Sequence, residues 1–181
     1  MTDPNDVNLV NECLGGNSRA FETIIDKYQK AIFNVAFRMC NNYEDAQDIT
    51  QAVFIKSFQK LSTFDPKYKF FSWIYRMAIN ESLNFVNQKS RFEKLSEDVA
   101  IQTGPDLEYE QMETVQYIEN ALSYLEPENR ALIVLKHFMD LSYQEIGYIL
   151  NVPEKMVKSR LFTARQVLRD ILLKLGFKTN D

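Results

Sequence analysis

Residues Leu141 to Leu172 read LSYQEIGYILNVPEKMVKSRLFTARQVLRDIL, and they spell a short helix, a sharp turn and a longer second helix. Ser142 followed three residues later by Glu145 is a capping box, so a helix opens at Tyr143. Ile146, Ile149 and Leu150 give that helix apolar positions at helical spacing, and Asn151-Val152-Pro153 stops it. Pro153 cannot continue a helix but can start the next one, because its missing N–H would be unpaired there anyway. From Glu154 onward Val157, Leu161, Ala164, Leu168 and Ile171 recur every three or four residues, so one face is core. Away from it lie Lys155, Lys158, Ser159, Arg165 and Arg169, with Arg160 at the edge. Phe162 also falls among the basic residues, where a solvated face needs no aromatic. Gly147 leaves room for the second helix to approach closely. This is the pattern of a DNA-binding helix-turn-helix whose second helix enters the major groove.

A basic helical face is usually only a solvated face. Here the stretch Glu154–Lys174 holds six basic and two acidic residues in a chain of net charge −4, so the excess is local. The imbalance points to nucleic acid.

Working outward, 181 residues at 45% apolar content suffice for one domain or two small ones. Five Gly, five Pro and three-and-four apolar spacing nearly throughout predict an all-α protein. No apolar run approaches the roughly 20 residues of a membrane span. The polar start MTDPNDVN carries no secretory signal, and Cys13 and Cys40 are isolated, so a cytoplasmic protein with reduced thiols is expected. The negative charge is concentrated at 93–113, which has net −6, whereas each flank has net +1.

In chain order, residues 4–16 form a short lead ending at Gly15-Gly16. Asn17 or Ser18 then caps a helix striped with Phe21, Ile24, Ile25, Tyr28, Ile32, Val35, Ala36 and Met39. After Asn41-Asn42 a second helix places Asp45, Asp48, Gln51 and Lys56 on its polar side, with Ile49, Val53 and Phe54 apolar. The turn-rich loop Ser62 to Lys69 follows, and FFSWIYRMAINESLNFVNQKSR makes a third long helix. Phe71 and Ile74 are expected in the core. Lys67, Tyr68 and Lys69 interleave charge and ring on a loop, which suits phosphates and unpaired bases. Residues 92–112 lose periodicity and contain Gly104-Pro105, so they read as a linker. Helical spacing returns with Val115, Ile118, Leu122 and Leu125, and Pro127 starts another helix. The predicted architecture is two small helical domains, 1–92 and 113–181, joined by an acidic flexible linker at 93–112. The second domain carries the helix-turn-helix.

Three stretches in this order resemble the extracytoplasmic-function (ECF) sigma factors, the smallest members of the sigma-70 family of bacterial RNA polymerase. YEDAQDITQAVFIKSFQKL is similar to their region 2.2, FFSWIYRMAINESLNFVNQKSR to regions 2.3 and 2.4, and LSYQEIGYILNVPEKMVKSRLFTARQVL to region 4.2. The resemblance covers nearly the whole chain. It implies a non-enzymatic factor without cofactor that binds core RNA polymerase and promoter DNA at the minus-ten and minus-thirty-five elements, helps melt the former, and has an anti-sigma factor as a further partner. It assigns Asp45, Asp48, Gln51 and Phe54 to polymerase docking. The loop from Asp65 to Phe70, with Lys67, Tyr68 and Lys69, matches the segment that captures a flipped minus-ten base. Trp73, Arg76 and Asn80 match positions facing that strand. Lys155, Lys158, Ser159, Arg160, Phe162 and Arg165 match the helix at the minus-thirty-five groove. The chain departs from the family in having Asn151 where Gly is usual, Thr163 where Arg is frequent and Asn84 where Asp is frequent.

Two other readings compete with this one. A stand-alone helix-turn-helix regulator explains 142–172 equally well, but not the basic-aromatic loop or the acidic tether. An enzyme would rest on His137 with Asp140, or on Asp45 with Asp48. The chain has one His, no His-Glu-x-x-His, no phosphate-binding Gly loop and no nucleophile motif.

Overall fold

The computed structural model describes residues 4–93 and 117–177, and every regular element among them is helical. The acidic linker therefore lies, apart from Glu93, outside the described residues. In order the helices are α1 (Pro4–Leu14), α2 (Arg19–Cys40), α3 (Tyr43–Gln59), α4 (Phe70–Glu93), α5 (117–123), α6 (Pro127–Ile133), α7 (Tyr143–Leu150) and α8 (Glu154–Lys174). A single 3-10 turn, Leu61–Thr63, precedes the loop that enters α4.

The lead segment is itself a helix rather than irregular chain. Leu9 and Val10 of α1 are buried, and Asp6 is buried beneath Lys27 at 2.6 Å and the Tyr28 hydroxyl at 2.7 Å. This buried carboxylate thus has both a cation and a hydroxyl donor, as burial of a charge requires. The expected cap of α2 is not formed. Ser18 occupies the N-cap position with helical backbone angles and no side-chain bond, while Asn17 donates to Glu12 instead. At the other end Asn41 takes the left-handed conformation, φ 52°, and Asn42 caps α3 by accepting from the Asp45 amide.

Helices α2, α3 and α4 pack around Ile24, Ile32, Val35, Met39, Ile49, Val53, Phe70, Ile74 and Ile79. Phe71, expected in the core, is only half-buried against it. The second group, α5 to α8, closes over Leu122, Leu132, Leu135, Ile146, Ile149, Val157, Leu161 and Ala164. Past Ile133 the backbone widens into a π-helical turn, Val134–Phe138, closed by the Met139 amide on the Val134 carbonyl. Such turns often mark functional positions, and this one carries His137. The two helical groups do not stand apart: α4 packs on α7, and α2 and α4 touch α6, so the buried side chains form one continuous cluster.

The helix-turn-helix forms as its sequence dictates. Ser142 and Glu145 make both bonds of the capping box, and Asn151 supplies the left-handed turn at φ 55°. The close approach that requires Gly147 is made by the turn. A Cβ there would lie 2.8 Å from the Val152 carbonyl oxygen. Backbone cannot step aside as a flexible side chain would. Gly147→Ala is therefore expected to destabilise this half of the chain by about 1–3 kcal/mol. Thermal unfolding followed by circular dichroism checks it, and an unchanged midpoint would show that the turn relaxes freely.

Candidate nucleic-acid interface

The α8 surface is built by period alone. Val157, Leu161 and Ala164 are buried, so the residues about 100° away in each direction must point outward. Lys155, Lys158, Ser159, Arg160, Phe162 and Arg165 are all exposed, and Phe162 shows 64% of its surface to solvent. It is the most exposed large apolar side chain among the described residues, and it stands amid cations. Lys158 lies 3.7 Å from Glu154 and over the Tyr143 ring, which holds its ammonium near the turn. Arg165 donates from Nε to Nε2 of His137 at 3.1 Å. Burial, then the cations of Arg165 and Lys136, hold the His137 imidazole below its ordinary pKa. The ring therefore remains a neutral acceptor that orients the Arg165 guanidinium.

The second surface is the loop ahead of α4. Its Asp65 carboxylate accepts from the Lys67 amide, an Asx turn that presents Lys67 and Tyr68 outward. Beneath it Phe64, Phe70 and Trp73 pack with ring centroids 5.2 to 5.8 Å apart. Two of the expected site residues are buried. Trp73 is only 6% exposed, because its indole forms the floor of the loop. Phe54 is 8% exposed and meets Phe21 edge-on, within the core side of α3. Asn80 is exposed and Arg76 half-buried, both on α4.

On α3, Asp48 and Gln51 are exposed, whereas Asp45 is half-buried and paired with Lys89 at 2.8 Å. The same outward stripe continues into Ile55 and Phe58, 58% and 51% exposed. Sequence reasoning passed over these two, although their spacing from Asp48 and Gln51 was the available signal.

Contacts that the sequence did not foretell join the two halves. Lys69 pairs with Glu145 of α7 at 2.6 Å, and the Tyr68 ring stacks on Tyr148 with centroids 4.3 Å apart. The Arg76 guanidinium also lies over the Tyr148 ring, 5.5 Å from its centroid. Burial pushes the Glu145 carboxyl up, but bonds from Lys69 and Ser142 outweigh it and hold its pKa below the ordinary value. Arg38 pairs with Glu119 at 3.7 Å and covers the Phe138 ring. Arg130, only 6% exposed, donates to the Ser123 and Leu125 carbonyls and, across the divide, to the Met39 carbonyl. Among the described residues no group of three or more His, Cys, Asp or Glu is placed to hold a metal. No helix there is long and apolar enough to cross a membrane.

An all-helical chain with a helix-turn-helix at one end and a basic-aromatic loop on a separate helical group defines a class, and comparison identifies it. Residues 24–92 match sigma-70 region 2, and residues 115–168 match sigma-70 region 4. The chain is 32% identical over 167 residues to the ECF RNA polymerase sigma factor SigW of Bacillus subtilis (strain 168), spanning 85% of this chain and 89% of that one. It is 28% identical to the RNA polymerase sigma-H factor of Pseudomonas aeruginosa, over 93% of this chain and 94% of the other. Among solved structures, CnrH in complex with the cytosolic domain of CnrY has the same fold, with TM-score 0.71 and 23% identity, covering 93% of this chain and 97% of that one. The sigma factor RpoE in complex with the anti-sigma factor NepR from Bartonella quintana gives 0.68 at 22% identity, over 84% and 96%. The chain belongs to the ECF sigma factors of RNA polymerase. It is a transcription initiation factor, not an enzyme.

Proposed function

We propose that this sigma factor divides its labour between residues 1–92, which dock on core polymerase and read and melt the minus-ten element, and residues 113–181, which read the minus-thirty-five element, with 93–112 as the tether. The observation that carries the reading is the pair of outward cationic surfaces, each with an exposed ring, on separate helical groups. Asp48 and Gln51, continued by Ile55 and Phe58, form the docking stripe on α3. Lys67, Tyr68, Lys69, Arg76 and Asn80 face the unpaired strand, over a floor that includes Trp73. Lys155, Lys158, Ser159, Arg160, Phe162 and Arg165 face the groove and its phosphates, with Arg165 aimed by His137. The same reading places the protein in the cytoplasm, where polymerase and promoter are. An anti-sigma factor is its proposed regulatory partner, because RpoE, a sigma factor of the same fold, is held by the anti-sigma factor NepR.

The minus-thirty-five assignment has a direct test. Lys158→Ala removes a phosphate contact, so affinity should fall on every sequence and the salt slope of binding should drop by about one. Phe162→Ala removes an apolar contact to a thymine methyl, so discrimination should relax at one base pair. Both project away from the buried Val157, Leu161 and Ala164, and the fold should be intact. Normal transcription by both variants across a range of salt concentrations would contradict the assignment.

A further inference from the structure

The loop read as the minus-ten contact is not free in this structure. The site has three chemical elements, the Lys69 cation, the Tyr68 ring and the Arg76 guanidinium of α4, and α7 meets all three. Glu145 supplies a carboxylate to Lys69 at 2.6 Å, where a phosphate oxygen would bind. Tyr148 supplies a flat ring to Tyr68 at 4.3 Å and 24°, the geometry of a stacked base. The Arg76 guanidinium lies over that same tyrosine, 5.5 Å from its centroid. We propose that α7 mimics a nucleic-acid strand within the chain, so that Glu145 and Tyr148 mask the minus-ten loop until the two helical groups separate. This rests on the reading of that loop as a strand-binding site.

A latch of apolar packing between α4 and α7 and a few polar contacts surrounds the mimic. Around the mimic the halves are joined by the Arg38–Glu119 pair at 3.7 Å, the Arg38–Phe138 contact and one Arg130 bond to the Met39 carbonyl. The helix-turn-helix face stays outside the latch, since Lys155, Lys158, Arg160, Phe162 and Arg165 are all exposed. Closure thus leaves the minus-thirty-five surface available while it occupies the melting surface. Free protein in this state would not capture unpaired strands indiscriminately.

The test uses the full chain and a fluorescein-labelled random-sequence single-stranded DNA 12-mer, with binding followed by anisotropy at low salt. Glu145→Gln removes the anionic mimic yet keeps the capping box, because Gln serves equally at that position. Tyr148→Ala removes the ring without changing charge. Glu128→Gln, at an exposed acid of the same helical group, controls for net charge alone. If about nine chains in ten are closed, full opening tightens binding by up to about tenfold. Glu145→Gln and Tyr148→Ala should each bind the oligonucleotide several-fold more tightly than wild type, and Glu128→Gln should match wild type. Adding Lys69→Ala to Glu145→Gln should cancel the gain. Equal effects of Glu145→Gln and Glu128→Gln, or no gain in either opening variant, would overturn the proposal. Run-off transcription by the wild-type chain with core polymerase separates the two levels. Normal transcription without any gain in oligonucleotide binding refutes the masking alone. A gain without transcription leaves the masking in place and removes the minus-ten assignment.

Discussion

Asp48→Arg should abolish capture of core RNA polymerase while leaving the helical fold unchanged. Asp48 is exposed on α3, and its neighbours Ile49 and Val53 point the other way into the core. The outward stripe is polar at Asp48 and Gln51 and turns apolar at Ile55 and Phe58. An apolar centre with a charged edge is the anatomy of a protein–protein contact. Breaking one close interfacial charge pair typically costs about 2–5 kcal/mol, and reversal adds repulsion to the loss. Core enzyme pulled down on immobilised variant should fall to background, with the circular dichroism spectrum unchanged. Capture at the wild-type level would remove α3 from the docking surface.

Tyr68→Ala should slow promoter opening while leaving the closed complex largely unaffected. Tyr68 is 47% exposed on a loop whose floor of Phe64, Phe70 and Trp73 is already packed, so truncation leaves the support intact. Extruding a base costs a few kcal/mol, and one aromatic stack returns about 1–3 kcal/mol of it. Loss of the ring should therefore slow opening by roughly fivefold to a hundredfold. On a template mismatched across the minus-ten region much of the defect should vanish, because the unpairing is already done. Permanganate footprinting and run-off assays on paired and pre-melted templates read this directly. Equal activity of variant and wild type on paired DNA would exclude Tyr68 from melting.

The helix-turn-helix was the most legible part of the chain, because its determinants are local. A capping box, a left-handed Asn, a proline start and a period-3.6 stripe each act within a few residues. The exposed face of α8 followed from the buried one. The burial of Phe54 and Trp73 was not legible, for the converse reason. An aromatic on an amphipathic helix reads alike whether it meets a partner or a neighbouring helix, and only Phe21 and Phe64 decide the matter. Arg130 was illegible because its acceptors are carbonyls of Ser123, Leu125 and Met39, and carbonyls leave no trace in residue identity. The Tyr68–Tyr148 and Lys69–Glu145 contacts lie 80 and 76 residues apart in the chain, beyond any periodic signal. Each helical group was foreseeable from pattern, but their packing against one another was not.

The most direct test of the central claim is in vitro transcription from a template library randomised at both promoter elements, with core polymerase in the presence and absence of this chain. Sequenced transcripts should appear only with the chain added. They should share two short motifs at fixed spacing, and Phe162→Ala should blur the upstream motif alone. Identical transcripts with and without the chain, together with tight binding of the free chain to duplex DNA, would contradict the account and return the molecule to a stand-alone helix-turn-helix regulator.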